Sequence, residues 1–138
     1  QKWQRVVELE ESLALPQGAS LYLLAYVAFA VGDSNVCEAA IRKHIGLEPT
    51  SSSGHFLLGC ILRQTGRAHD ALQEFTDARR CNQNSKKAHL AAAETALYLG
   101  LEGFAQEVVA SIPANVLREM SDDERAWILE CGKQDRSA

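Results

Sequence analysis

The residue types that could carry chemistry in this chain are four histidines (His44, His55, His69, His89) and four cysteines (Cys37, Cys60, Cys81, Cys131). His55 and His89 stand 34 residues apart. A metal centre built on them would need further Cys, His or carboxylate ligands at close helical spacing, and the sequence shows none. A nucleophilic thiolate needs a base within hydrogen-bond reach. Cys60 follows His55 by five residues, a separation at which side chains on one helix do not face each other. The cysteines form no CxxC pair, and the chain contains no GxGxxG, P-loop, HExxH or GxSxG. The reading is a non-enzyme, with no catalytic residue, no cofactor and no metal, in which the histidines are structural.

These side chains must be held by helices. Residues 52–85 read as two helices packed together. The first, around His55–Gln64, carries apolar residues at Phe56, Leu57, Leu58, Ile61 and Leu62. Thr65-Gly66 breaks the pattern, and a second apolar face follows at Ala71, Leu72, Phe75 and Ala78. The pattern recurs with a period of 34 residues: Gly32, Gly66 and Gly100 break the helices; Cys37, Ala71 and Ala105 hold a small position; Ile41, Phe75 and Val109 hold a large one. Ala25, Gly59 and Ala93 recur where two backbones approach closely, and Pro49 closes the first unit. This set resembles the tetratricopeptide repeat, a helix–turn–helix unit of 34 residues. The resemblance spans units 18–51, 52–85 and 86–119, about three-quarters of the chain, and implies an all-α, right-handed superhelical solenoid. The third unit departs from the pattern: Pro113 cuts its second helix short, and Leu117 stands where the family has proline.

Helical patterning also flanks the repeats. Residues 2–14 read as a helix, either the second half of a preceding repeat or an independent cap. Residues 19–31 (ASLYLLAYVAFAV) are apolar on all sides, so both faces need a cover. Asp33 or Ser34 is placed to cap the next helix, Gly46 and Pro49 to end it, and the Ser51–Ser53 run to cap the one after. After Pro113 comes a short apolar segment (Val116, Leu117, Met120). Ser121-Asp122-Asp123-Glu124 then starts a capping helix over 121–132 that offers Trp127, Ile128 and Cys131 to the last repeat.

Composition narrows the function classes. A chain of 138 residues suits one domain. Its net charge of −4 argues against nucleic acid, which demands concentrated Lys and Arg. No apolar run reaches the roughly 18 residues that span a bilayer, so no membrane insertion is expected. With no signal peptide evident and no disulfide framework, the expected location is cytoplasmic. Four basic residues, Arg79, Arg80, Lys86 and Lys87, cluster between the second and third units; such a cluster could attract an acidic partner, and it also reads as a solvated turn complementing a helix C-terminus.

The resemblance implies a concave groove lined by the first helix of each unit. Carried over position by position, it assigns Ala19, Tyr22, Tyr26, Phe29 and Ala30 from the first unit; Ser53, Phe56, Cys60, Arg63 and Gln64 from the second; and Lys87, Leu90, Glu94, Leu97 and Tyr98 from the third. Family members that grip a C-terminal carboxylate need Lys and Asn where this chain has Tyr22 and Tyr26, so that mode is disfavoured. The expected partner is a protein supplying an apolar helix or extended segment. Each buried aromatic anchor would contribute roughly 1.5–3 kcal/mol. The resemblance also extends to the small tetratricopeptide chaperones of bacterial type III secretion. Other readings remain: a scaffold fragment of a larger assembly or co-chaperone, and a groove filled by residues 2–14 or by a second copy in a homodimer.

Overall fold

The structure, a computed structural model, describes residues 17–133, so the helix expected over 2–14 and the polar C-terminal tail lie outside the described residues. The described chain is all-α. Its helices are α1 (Gln17–Ala30), α2 (Ser34–Leu47), α3 (Ser52–Gln64), α4 (Ala68–Cys81), α5 (Lys86–Tyr98), α6 (Glu102–Ala110), α7 (Ala114–Glu119) and α8 (Asp122–Lys133). The densest packing joins α1 to α2 and α3 to α4, with α5 against both α4 and α6, and α8 closing on α6.

The 34-residue spacing has a local cause in the turns. Gly32, Gly66 and Gly100 adopt φ of 83°, 84° and 78°, a region that costs side-chain-bearing residues energy. Each sits in the same hydrogen-bond pattern. Asp33 N–H donates to the Ala28 carbonyl at 2.9 Å, Arg67 N–H to Leu62 at 2.8 Å and Leu101 N–H to Ala96 at 2.8 Å. The glycine amides donate to Phe29, Arg63 and Leu97 at 3.0–3.2 Å. This double closure satisfies the last carbonyls of the first helix and reverses the chain in two residues.

Caps define the other ends. The Asp33 carboxylate accepts from Val36 N–H at 3.3 Å, and the Ser51 and Ser85 hydroxyls accept from Gly54 at 3.0 Å and Ala88 at 3.3 Å. Ser121 and Glu124 form a reciprocal box: Glu124 N–H donates to Ser121 Oγ at 3.1 Å, and Ser121 N–H to Glu124 Oε1 at 2.8 Å. Gly46, expected to end α2, lies inside it. The helix runs to Leu47 and closes with Glu48 N–H on the His44 carbonyl at 2.8 Å. An isolated glycine lowers helix propensity without imposing a break.

The small and large positions meet in one core. Cys37, Ala71, Ala105, Ala25 and Ala93 are completely buried, as are Ile41 and Phe75 to within 1 %, whereas Val109 is only partly buried. Beyond Pro113 the expected apolar segment folds as the short helix α7. Its Val116 joins Ile112, Met120 and Ile128 in a second cluster under α8, and Trp127 packs against both clusters.

Candidate functional site

The first helices of the three pairs, α1, α3 and α5, enclose an open groove. Phe29 from α1, Phe56, Cys60, Arg63 and Gln64 from α3, and Lys87, Leu90, Ala91 and Glu94 from α5 line a cavity of about 510 Å³, with Phe75 of α4 in its wall. The Phe56 and Phe75 rings pack with centroids 5.5 Å apart at 50°. Lys87 Nζ stands 4.9 Å over the Phe56 ring, and an Arg63–Glu94 ion pair ties α3 to α5 at the rim. The result is an apolar floor with charged edges.

The remaining sequence-assigned positions are not among the residues lining this cavity. Tyr22 and Tyr26 follow one another along α1 with ring centroids 6.3 Å apart, and Tyr26 is 52 % exposed. Burial, and then Tyr26, push the Tyr22 hydroxyl above its ordinary pKa against a hydrogen bond with Ser53. Leu97 is partly buried against the core. Tyr98, 75 % exposed, lines a separate hollow of about 420 Å³ with Arg63, Gly66 and His69. Ala19, Ala30 and Ser53 are exposed. Sequence positions alone missed an extension at the far end: Leu90 and Glu94 also border a hollow of about 270 Å³ shared with Asp123, Glu124 and Trp127 of α8. Trp127, expected from sequence to pack on the last repeat, thus also borders this hollow. The path of α7, which sets where α8 lands, follows no repeat period.

The thiols of Cys37 and Cys60 are poorly suited to nucleophilic chemistry. Burial, followed by the neighbouring Cys60, Glu38 and Asp33, pushes Cys37 up to about 11. Burial also raises Cys60, outweighing the opposing pull of Lys87 and Arg63. Neither is a thiolate near neutral pH.

Each buried histidine has its own partners. His44 contacts the Gly18 carbonyl through Nδ1 at 2.6 Å and Ser51 Oγ through Nε2 at 2.8 Å. A Cβ on Gly54 would meet its ring at 2.7 Å, so glycine makes room for it. His55 Nε2–H donates to the Pro49 carbonyl at 2.8 Å, and Nδ1 meets Glu74 Oε1 at 2.8 Å. His89 Nε2–H donates to the Gln83 carbonyl at 2.7 Å, and its Nδ1 accepts from Arg79 Nε at 3.3 Å. His55 and His89 therefore share no ligand set. The structure does correct one sequence expectation: two carboxylates stand beside His55, since its ring nitrogen, Glu74 and Asp77 lie within 4.8 Å of one another. Both ring nitrogens are already bonded and Asp77 holds Arg80 at 3.0 Å, so the trio reads as an ion-pair network.

The basic cluster at the junction of α4 and α5 is dispersed. Lys86 pairs with Glu124 at 3.2 Å, Lys87 covers Phe56 and Arg80 pairs with Asp77, while among the described residues Arg79 bonds to His89 and Ser111. Among the described residues no helix is long and apolar enough to cross a membrane.

No protein-family model and no curated protein sequence matches the chain, so comparison rests on solved structures. The TPR2B domain of yeast Sti1, from a complex with pHsp70, superposes with a TM-score of 0.74 at 17 % identity, covering 87 % of this chain and 98 % of that one. The Yersinia enterocolitica type III secretion translocator chaperone SycD gives 0.72 at 16 % identity, covering 87 % and 86 %. The first TPR of Spaghetti (RPAP3), bound to the HSP90 peptide SRMEEVD, gives 0.69 at 12 % identity, covering 83 % and 94 %. With its triply repeated glycine turns and paired helices, the chain has the tetratricopeptide-repeat fold.

Proposed function

We propose that this chain is a non-catalytic protein-binding module that holds an apolar or amphipathic segment of a partner protein in the groove of α1, α3 and α5. The observation that carries this reading is the open cavity of about 510 Å³ with an apolar floor of Phe29, Phe56 and Leu90. A groove of this kind suits side-chain anchors that dock into pockets while charged edges set register. Among the structural neighbours, those seen with Hsp tails recognise a peptide such as SRMEEVD, and SycD is also seen with a peptide of the translocator YopD. The tyrosines at 22 and 26, where a carboxylate-gripping groove needs Lys and Asn, favour the second mode, and with it a role as a secretion chaperone for one dedicated client.

The test is purification from the native source under mild conditions, followed by mass spectrometry, comparing wild type with a Tyr26→Glu, Leu90→Glu double variant. One small apolar client at equimolar ratio, lost in the double variant while far-UV circular dichroism stays at wild-type level, supports the reading. Retention of the client by the folded double variant refutes it. A set of large assembly subunits points instead to a scaffold role.

A further inference from the structure

Arg79 is electrostatically unlike its neighbours. Arg42, Arg63, Arg67, Arg80 and Arg125 each face a carboxylate, and Arg118 is exposed to water. Among the described residues Arg79 is the partly buried arginine with no acidic partner. Its guanidinium is nevertheless held in place. His89 commits Nε2–H to the Gln83 carbonyl at 2.7 Å, which leaves Nδ1 as an acceptor for Arg79 Nε at 3.3 Å. Ser111 donates its hydroxyl proton to the Val108 carbonyl at 2.8 Å, which leaves its oxygen to accept from Arg79 Nη2. Both acceptors are neutral, so they orient the cation without compensating it.

The donors left over border a cavity of about 210 Å³ lined by Thr76, Arg79, Arg80, Gln83, His89 and Ser111. That volume is several times the roughly 30 Å³ a water occupies in the liquid. The carbonyl end of α4 offers only about half an elementary charge within its last turn. It cannot balance two guanidinium groups, one of which is shared with Asp77 at 3.0 Å. A planar donor fork fixed at the mouth of a polar cavity is the geometry that recognises tetrahedral oxyanions.

We propose that the cavity between the end of α4, the start of α5 and the end of α6 is a binding site for a phosphate-type oxyanion, held by Arg79 and Arg80. Burial, and then the adjacent Arg80, lower the pKa of Arg79, as expected for a cation that lacks its counter-charge. The site shares no lining residue with the groove and does not depend on the function proposed for it. The oxyanion comes either as free phosphate or as a phosphorylated side chain of another protein.

The experiment is an NMR titration of the protein with inorganic phosphate at constant ionic strength, repeated with a glycine-flanked phosphoserine peptide. Saturable shifts of the Arg79 Nε–H and the Gln83 and Ser111 amides are expected, with a Kd in the millimolar range or tighter and a loss of about tenfold in Arg79→Gln. Arg80→Gln, at an exposed position where folding is not at stake, should weaken binding several-fold. Binding of the peptide about tenfold tighter than phosphate identifies a phosphorylated protein as the source, and equal affinity identifies free phosphate. Shifts that fail to saturate by about 50 mM, or that are unchanged in both variants, overturn the site.

Discussion

His55 and Glu74 form a partly buried pair in which the imidazole meets the carboxylate oxygen at 2.8 Å while the opposite ring nitrogen donates to the Pro49 carbonyl at 2.8 Å. Both ring nitrogens face acceptors, so the fold selects the doubly protonated ring. Burial alone would lower the pKa, but the Glu74 and Pro49 hydrogen bonds outweigh it and hold His55 above its ordinary 6.5. The stabilisation is complete below that value and is lost as pH rises through the higher folded-state pKa. Chemical denaturation from pH 6 to pH 9 should therefore show a fall in stability that is reduced in His55→Gln. An equal fall in the variant would refute the charged ring.

His89 has the opposite sign. Burial and the Arg79 cation lower its pKa below 6.5, against the raising effect of the Gln83 hydrogen bond. The neutral ring is the folded form. Its contribution is present above 6.5 and disappears as pH falls through the lower folded-state pKa. Acid titration of the His89 ring by NMR should give a midpoint below 6.5, and His89→Gln should weaken the acid-side loss of stability.

Gly59 and Gly66 serve different purposes seven residues apart, and substitution separates them. A Cβ on Gly59 would sit 2.6 Å from the ring of the buried Phe75, so Gly59→Ala should overpack the α3–α4 contact and cost about 1–3 kcal/mol. Gly66 has open space around it but φ of 84°, so Gly66→Ala should cost about 1–2 kcal/mol through the backbone. Urea denaturation distinguishes the causes. Asparagine, which tolerates the left-handed region, should recover part of the loss at 66 and none at 59.

The Ser121–Glu124 box secures a helix that covers a separate apolar cluster. Ser121→Ala should cost about 1 kcal/mol. Hydrogen exchange should accelerate in α8 and α7 while α3 and α4 remain protected. Uniform acceleration across the chain would show that the cap and the repeats unfold as one unit.

The parts of this fold that repeat were legible in the sequence. The glycine period fixed the turns, and the small and large positions fixed which helix faces meet, because each helix pair solves the same packing problem with the same residues. Phe56, Cys60, Arg63, Leu90 and Glu94, which the tetratricopeptide resemblance assigned to a groove, line one cavity. Features outside the period were hidden. Pro113 stops α6 early, and the direction of the chain through α7 decides that Trp127 and Asp123 border the groove's end. The pairing of His55 with Glu74 and the isolation of Arg79 depend on side chains that approach across helices, at sequence separations of 19 and 32 residues with no motif to mark them.

The neighbour-to-neighbour packing of the helices has a kinetic consequence. The principal contacts join each helix to the next or to the one after it, so the chain has little need to bring distant segments together before it gains stability. The α3–α4 hairpin, with the densest packing, is the natural nucleus from which order spreads in both directions. The groove draws on α1, α3 and α5 at once, so it comes into existence only after all three hairpins have docked. Any segment that docks in the groove would thus meet a complete surface only once all three hairpins are in place, and loss of any one of them would open the groove before the α3–α4 centre unfolds.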